Sequence, residues 1–186
     1  QYFNETSGRW DMIIEPFSLR ALLFLRNQVF HASIVAENEI NITSSSTYGS
    51  NYNPTNSILY ESRENIFCSE NKPNSWCGFD FKKKPYFLYR YTIQTRNLER
   101  NDNHPKSWVI EGSKTKLFWT VLDRKENCSD LNGPNITVEF QIDHSLFKRS
   151  FRYFRIRQTG LNWNGNDFLT FESFHLEGAT YYNYQD

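Results

Sequence analysis

The sequence predicts an all-β sandwich of about eight strands with a helical segment in front of it. Three observations carry this. Aromatic residues make up 17% of the 186 residues and are dominated by 16 Phe and 11 Tyr, a composition suited to broad cross-strand pairs. From Ile40 onward, short apolar alternations are separated by polar clusters, the pattern of half-buried strands. Before that point Phe17, Leu19, Leu22, Leu23, Leu25, Val29 and Phe30 approximate a 3.6-residue stripe behind Pro16, which predicts a helix over Pro16–Ala36.

The elements follow in order. Ser44–Asn56 is rich in Ser, Asn and Tyr, holds Gly49 and Pro54, and reads as a loop. Cys77, Phe79 and Phe81 share one face of a strand, with Gly78 and Asp80 on the other; Tyr89, Tyr91, Ile93 and Thr95 form the next alternating set. Asn97–Pro105 is a charged, Asn-rich loop; Trp108-Val-Ile opens another strand and Phe118–Leu122 the one after. The clearest strand turns Ile136, Val138, Phe140 and Ile142 inward and Thr137, Glu139 and Gln141 outward. Phe154 and Ile156 then face in, opposite Arg155 and Arg157, and Asn164-Gly165 marks a tight turn. In the last strand the apolar spacing slips from Phe171 to Phe174, a step of three that predicts a bulge near Glu172-Ser173. The division expected is a helical segment over 1–38, the sandwich over 39–178 and a tail over 179–186.

Charge narrows the function. Lys plus Arg and Asp plus Glu are 21 each, which argues against a phosphate-tracking surface and so against nucleic acid. The apolar run Ala21–Leu25 lies between Arg20 and Arg26, far short of the roughly 20 residues of a membrane span. The odd cysteine count (Cys68, Cys77, Cys128) points to a reducing, cytoplasmic setting. Four Asn-x-Ser/Thr sequons, at Asn4, Asn41, Asn127 and Asn135, point to the alternative, a secreted or cell-surface protein.

No constellation supports catalysis. His31, His104, His144 and His175 lack the spacing of a metal site, Cys68 and Cys77 are too distant for a CxxC pair, and Gly112-Ser-Lys-Thr115 lacks the upstream glycine of a phosphate loop. No GxSxG elbow occurs. The expectation is a non-enzyme without cofactor or metal. Trp76, Trp108 and Trp119 read as packing residues, and Arg155 and Arg157 as partners of carboxylates such as Asp80, Glu111 or Asp123. Tyr48 and Tyr52 lie instead in a loop beside Asn51, where a flat ring is free to stack on a sugar or anchor a partner.

The order Ile42-Thr-Ser-Ser-Ser, Asn53-Pro54, Ser75-Trp76, Asp80-Phe81, Trp108-Val-Ile-Glu-Gly-Ser113, Trp119, Leu122-Asp123, Tyr153-Phe-Arg-Ile-Arg-Gln-Thr-Gly160 and Phe174–Gly178 resembles the discoidin family. These are the coagulation-factor-type C domains, with a galactose-binding-like jelly roll; the variant motifs look nearest a protist subgroup in which the domain often follows BTB-type helical regions. The resemblance implies a non-catalytic binding module with its site at one end, in three loops that here are Ser46–Tyr52, Ser69–Asn74 and Arg96–Asn103. The candidate ligand-binding residues are Tyr48, Asn51 and Tyr52 in the first, Glu70 and Asn71 in the second, and Asn97, Arg100 and Asp102 in the third. Loop tips this polar, with Leu98 the only aliphatic residue, argue against membrane insertion. A protein partner is the first expectation, a carbohydrate the alternative, and peripheral binding to anionic lipid the third.

Overall fold

The computed structural model describes residues 40–55, 66–82, 85–143, 145 and 149–178, together with the backbone of 2–4, 9–11, 17–18 and 179–180. Two antiparallel sheets form the sandwich. The five-stranded sheet runs β4 (Ile40–Ser44), β6 (Trp76–Phe81), β11 (Tyr153–Gln158), β8 (Trp108–Ser113), β9 (Thr120–Lys125). The four-stranded sheet runs β10 (Thr137–Gln141), β7 (Tyr86–Gln94), β13 (Ser173–Thr180), β3 (Phe17–Ser18). Two short pairs complete the description: β1 (Tyr2–Asn4) with β2 (Arg9–Asp11), and β5 (Phe67–Cys68) with β12 (Thr170–Phe171).

Alternation fills the space between the sheets. Cys77 and Phe79 from β6, Phe154 and Ile156 from β11 and Trp108 and Ile110 from β8 meet Tyr91 and Ile93 from β7 and Phe174 and Leu176 from β13, all buried. Phe79 lies 5.6 Å from Phe174 and Trp108 5.5 Å from Phe140, ring centre to ring centre, so aromatic contacts cross the layer. One polar chain crosses it too. Trp108 Nε1–H donates to Tyr91 Oη at 3.1 Å, and Tyr91 Oη–H donates to Asp123 Oδ2 at 2.6 Å. Burial, and then the bond to Asp123, push the Tyr91 phenol far above its ordinary range, so it stays a donor.

The outward face of the five-stranded sheet carries a buried charge cluster. Arg155 stands directly opposite Glu111 in the β11–β8 register. Glu111 accepts from Arg155 Nε at 2.6 Å and from Arg157 Nη2 at 2.8 Å, so the paired arginines of the sequence are sheet partners of one carboxylate. Arg155 also lies 3.9 Å from the Trp119 ring centre. Asp80 is taken by Arg152, with Nε–H to Oδ1 at 2.7 Å.

Three sequence expectations are corrected. Phe17–Ser18, placed in a helix by the stripe, pair as a strand with Glu177 and Gly178; the open edge of β13 offers backbone partners that outweigh a weak local propensity. The rest of the expected helix lies outside the described residues, and among the described residues there is no α-helix, only short 3-10 turns. The step from Phe171 to Phe174 is not a bulge but a change of sheet, since β12 pairs with β5 and β13 with β7. The register shift falls instead at Glu177/Gly178, where a Cβ on Gly178 would meet the Phe87 carbonyl oxygen at 1.7 Å. Finally, Phe118 does not start a strand. Lys116 turns the chain with φ +69° and β9 begins at Thr120.

Glu111 gives a pH-dependent test. Burial alone would raise its carboxyl, but hydrogen bonds from Arg157 and Arg155 outweigh that and hold it below the ordinary value. A depressed folded value means that the cluster stabilises fully above the unfolded carboxylate range and loses its effect as pH falls through the folded value. Glu111→Gln is expected to cost about 2–3 kcal/mol at neutral pH, with the gap to wild type closing under acid conditions, read from urea unfolding across a pH series.

Candidate functional site

Strand register defines two ends. Ser44 pairs with Cys77, Arg157 with Trp76, Gln158 with Trp108 and Trp108 with Lys125, so the loops leaving these positions gather at one end. There a concavity of about 210 Å³ is lined by Tyr48, Tyr52, Cys68, Arg96, Asn103 and Phe168. Tyr48, 62% exposed, stands edge-to-face with Tyr52 at 5.5 Å and with Phe168 at 5.6 Å. Its backbone N–H donates to the Cys68 carbonyl at 2.9 Å, which ties the first loop to β5. The Cys68 thiol is raised by burial, against the lowering effects of Thr170 and of the Arg96 charge, and stays protonated.

Arg96 is the polar centre. Its guanidinium lies 6.0 Å from the Tyr52 ring centre, and its Nε is buried with no hydrogen-bond partner. A buried donor left unpaired is costly, and here it borders an open concavity. Arg96 also lines a second cavity, of about 440 Å³, with Gln94, Asn97, Leu98, Asn135 and Glu172.

Asparagine amides hold the loops. Asn103 Oδ1 accepts from Asn166 Nδ2 at 2.7 Å and Asn162 Nδ2 at 3.2 Å, which leaves the Asn103 amide NH₂ as the group it can offer a ligand. Buried Asn162 donates from Nδ2 to the Phe168 carbonyl at 3.0 Å and accepts on Oδ1 from the N–H groups of Asn164 and Asn166. Asn101 and Asn132 clasp each other: Asn101 N–H donates to Asn132 Oδ1 at 2.7 Å, and Asn132 Nδ2 donates to Asn101 Oδ1 at 2.8 Å. Buried His104 donates from Nε2 to the Leu98 and Glu99 carbonyls at 3.1 and 2.9 Å. Asn74, Asn101, Asn127 and Asn135 all take positive φ, a backbone region that asparagine tolerates better than other side chains with a Cβ.

The residues expected from sequence divide into two groups. Tyr48 and Tyr52 line the concavity, and Asn51 is exposed between them in the chain. Glu70 pairs with Lys72 and receives Ser46 through its backbone N–H; Asn71 accepts from the Asp167 N–H at 2.7 Å; Asn97 accepts from Asn135 Nδ2 at 3.0 Å and borders the second cavity. Arg100 is exposed, and Asp102 accepts from the Asn103 N–H at 2.6 Å; neither lines the concavity. Sequence reasoning missed Arg96, Asn103 and Phe168. Phe168 comes from a fourth loop, for which the dense Asn162-Trp-Asn-Gly-Asn166 was the available signal. Among the described residues no group of three or more His, Cys, Asp or Glu is placed to hold a metal ion.

Asn162 is the test of this scaffold. Asn162→Ala strands the Phe168 carbonyl and the two N–H groups of its turn, and is expected to lower stability by about 2–3 kcal/mol. Urea unfolding checks the loss, and intrinsic tryptophan fluorescence should report the change beside Trp163.

Comparison with known proteins places this geometry. The chain is similar to the chitosan-binding module 1 of a chitosanase/glucanase from Paenibacillus sp. IK-5, at 15% identity over 75% of this chain and 96% of that one, with a TM-score of 0.56. It is similar to the family 32 CBM of Clostridium perfringens NanJ, solved in complex with galactose, at 10% identity over 76% and 95% of the two chains, TM-score 0.56. It is also similar to a fucolectin from striped bass (Morone saxatilis) serum, at 14% identity over 77% and 47%, TM-score 0.54. At these identities the likeness is one of fold. No curated protein sequence matches. The family profile described as F5/8 type C domain matches residues 41–172, most of the chain and the whole site end, and the protein belongs to that family.

Proposed function

We propose that this F5/8 type C domain is a carbohydrate-binding module whose sugar sits in the concavity between Tyr48, Tyr52, Phe168, Arg96 and Asn103. The observation that carries the reading is the unpaired, buried Arg96 Nε beside a wall of edge-to-face aromatic rings. A pyranose presents a C–H face that packs on an aromatic ring and hydroxyls that accept from Arg96 and Asn103, so each wall of the recess has a partner. The solved neighbours that bind chitosan or galactose support the same reading. A protein partner came first from the sequence. The geometry reverses the order, because a recess of about 210 Å³ fits one sugar ring, whereas a stable protein interface needs about 800 Å² per side. The exposed sequons at Asn41, Asn127 and Asn135 support a secreted or cell-surface setting for such a module.

A glycan array probed with the full chain, followed by calorimetry on the strongest hit, tests the proposal. Arg96→Ala and Tyr52→Ala are each expected to weaken binding by about tenfold or more, with unchanged unfolding midpoints, while Arg100→Ala stays near wild type. A folded protein that binds nothing on the array, or a hit indifferent to Arg96 and Tyr52, would sink it.

A further inference from the structure

The end opposite the concavity has a different character. Strand pairing brings the β6–β7, β8–β9 and β10–β11 connections together there: Tyr153 faces both Asp80 and Ser113, and Phe151 bridges to Tyr86. These three connections hold eight Lys and Arg, beginning with Lys82-Lys83-Lys84, against one acidic residue, Asp143. At the tip of the β8–β9 turn, Leu117 is 79% and Phe118 84% exposed, flanked by exposed Lys114 and Lys116. Val121, on the same hairpin, is 40% exposed.

The turn is built to hold these side chains out. Ser113 Oγ accepts from the Lys116 N–H at 2.9 Å and donates to the Phe118 carbonyl at 2.5 Å, and Trp119 Nε1–H donates to the Lys116 carbonyl at 3.1 Å. Lys116 Nζ rests 4.6 Å from the Tyr153 ring centre, with the Arg152 guanidinium 4.8 Å from the same ring. A tip fastened by its own backbone exposes two large apolar groups without the option of folding them away.

We infer that this end is a peripheral docking surface for an anionic phospholipid membrane, with Leu117 and Phe118 entering the headgroup boundary and the surrounding Lys and Arg facing the lipid charge. An apolar insertion and a basic ring are two signals, each marginal alone and sufficient together. The patch is a convex tip of two adjacent side chains, too small for the roughly 800 Å² per side of a stable protein interface. The polar site-end loops gave no such surface. With this end on the bilayer, the concavity points away from it.

The test is co-sedimentation of the full chain with vesicles of phosphatidylcholine alone or in equal parts with phosphatidylserine. Binding is expected only with phosphatidylserine, to weaken as salt rises, and to fall by about tenfold or more in the double variant Leu117→Ser/Phe118→Ser. Both side chains are exposed, so the variant should keep its unfolding midpoint; Lys114→Glu, which leaves the apolar tip intact, should weaken binding as a second readout. No pelleting with phosphatidylserine at low salt would overturn the inference, as would pelleting unchanged in the double variant. A wild-type dimer in sedimentation velocity that the double variant dissociates would make the tip a contact between copies and overturn it equally.

Discussion

The hydrogen-bond chain from Trp108 through Tyr91 to Asp123 fixes the two sheets relative to each other. An aromatic core is non-directional: Phe79 against Phe174, or Trp108 against Phe140, would survive a small slide of one sheet over the other. The chain would not. Tyr91 belongs to the four-stranded sheet, and both its partners belong to the five-stranded one. A slide would leave an indole N–H, a phenol and a carboxylate unpaired inside, where each is expensive. Loops leaving both sheets must converge to enclose Arg96, so the register set by this chain precedes any recess.

Much of the sandwich was legible because period-two alternation is a strong local signal. The inward set Val138, Phe140, Ile142 and the opposed faces of Phe154–Arg157 came straight from it, and the expected pairing of Arg155 and Arg157 with a carboxylate is met by Glu111. What could not be read depended on distant partners. Phe17–Ser18 carry a helical stripe, yet the open edge of β13 takes them as a strand. The Phe171–Phe174 step looks like a bulge until β12 and β13 are seen to enter different sheets.

The site was half visible for a related reason. Loop aromatics announce themselves, so Tyr48 and Tyr52 were found. Arg100 looked the better arginine because it sits in a charged loop tip, but Arg96, one residue beyond Thr95, borders the recess with its Nε unpaired. Thr95 explains the difference. Its hydroxyl donates to the Gly133 carbonyl at 2.7 Å and accepts from the Ile136 N–H at 2.8 Å, which anchors the start of the loop and directs Arg96 between Tyr52 and Asn97. A residue near a strand end inherits the precision of the sheet, whereas one at a loop tip does not.

Formal neutrality hid the other half of the molecule. Equal numbers of acidic and basic residues argue against a charged surface only when the charges are mixed, and topology decides whether they are. Antiparallel strands send alternate connections to opposite ends, so residues distant in sequence, such as Lys82, Lys114 and Arg152, collect at one of them. The site end is constrained differently. Asn162, Asn103, Asn101 and Asn132 spend short amide side chains on one another and on turn backbone, and so order the recess before any ligand arrives. A ligand then pays little ordering entropy on entry. Division of labour follows from the fold: neutral amides shape one end of the sandwich, and cations around an apolar tip mark the other.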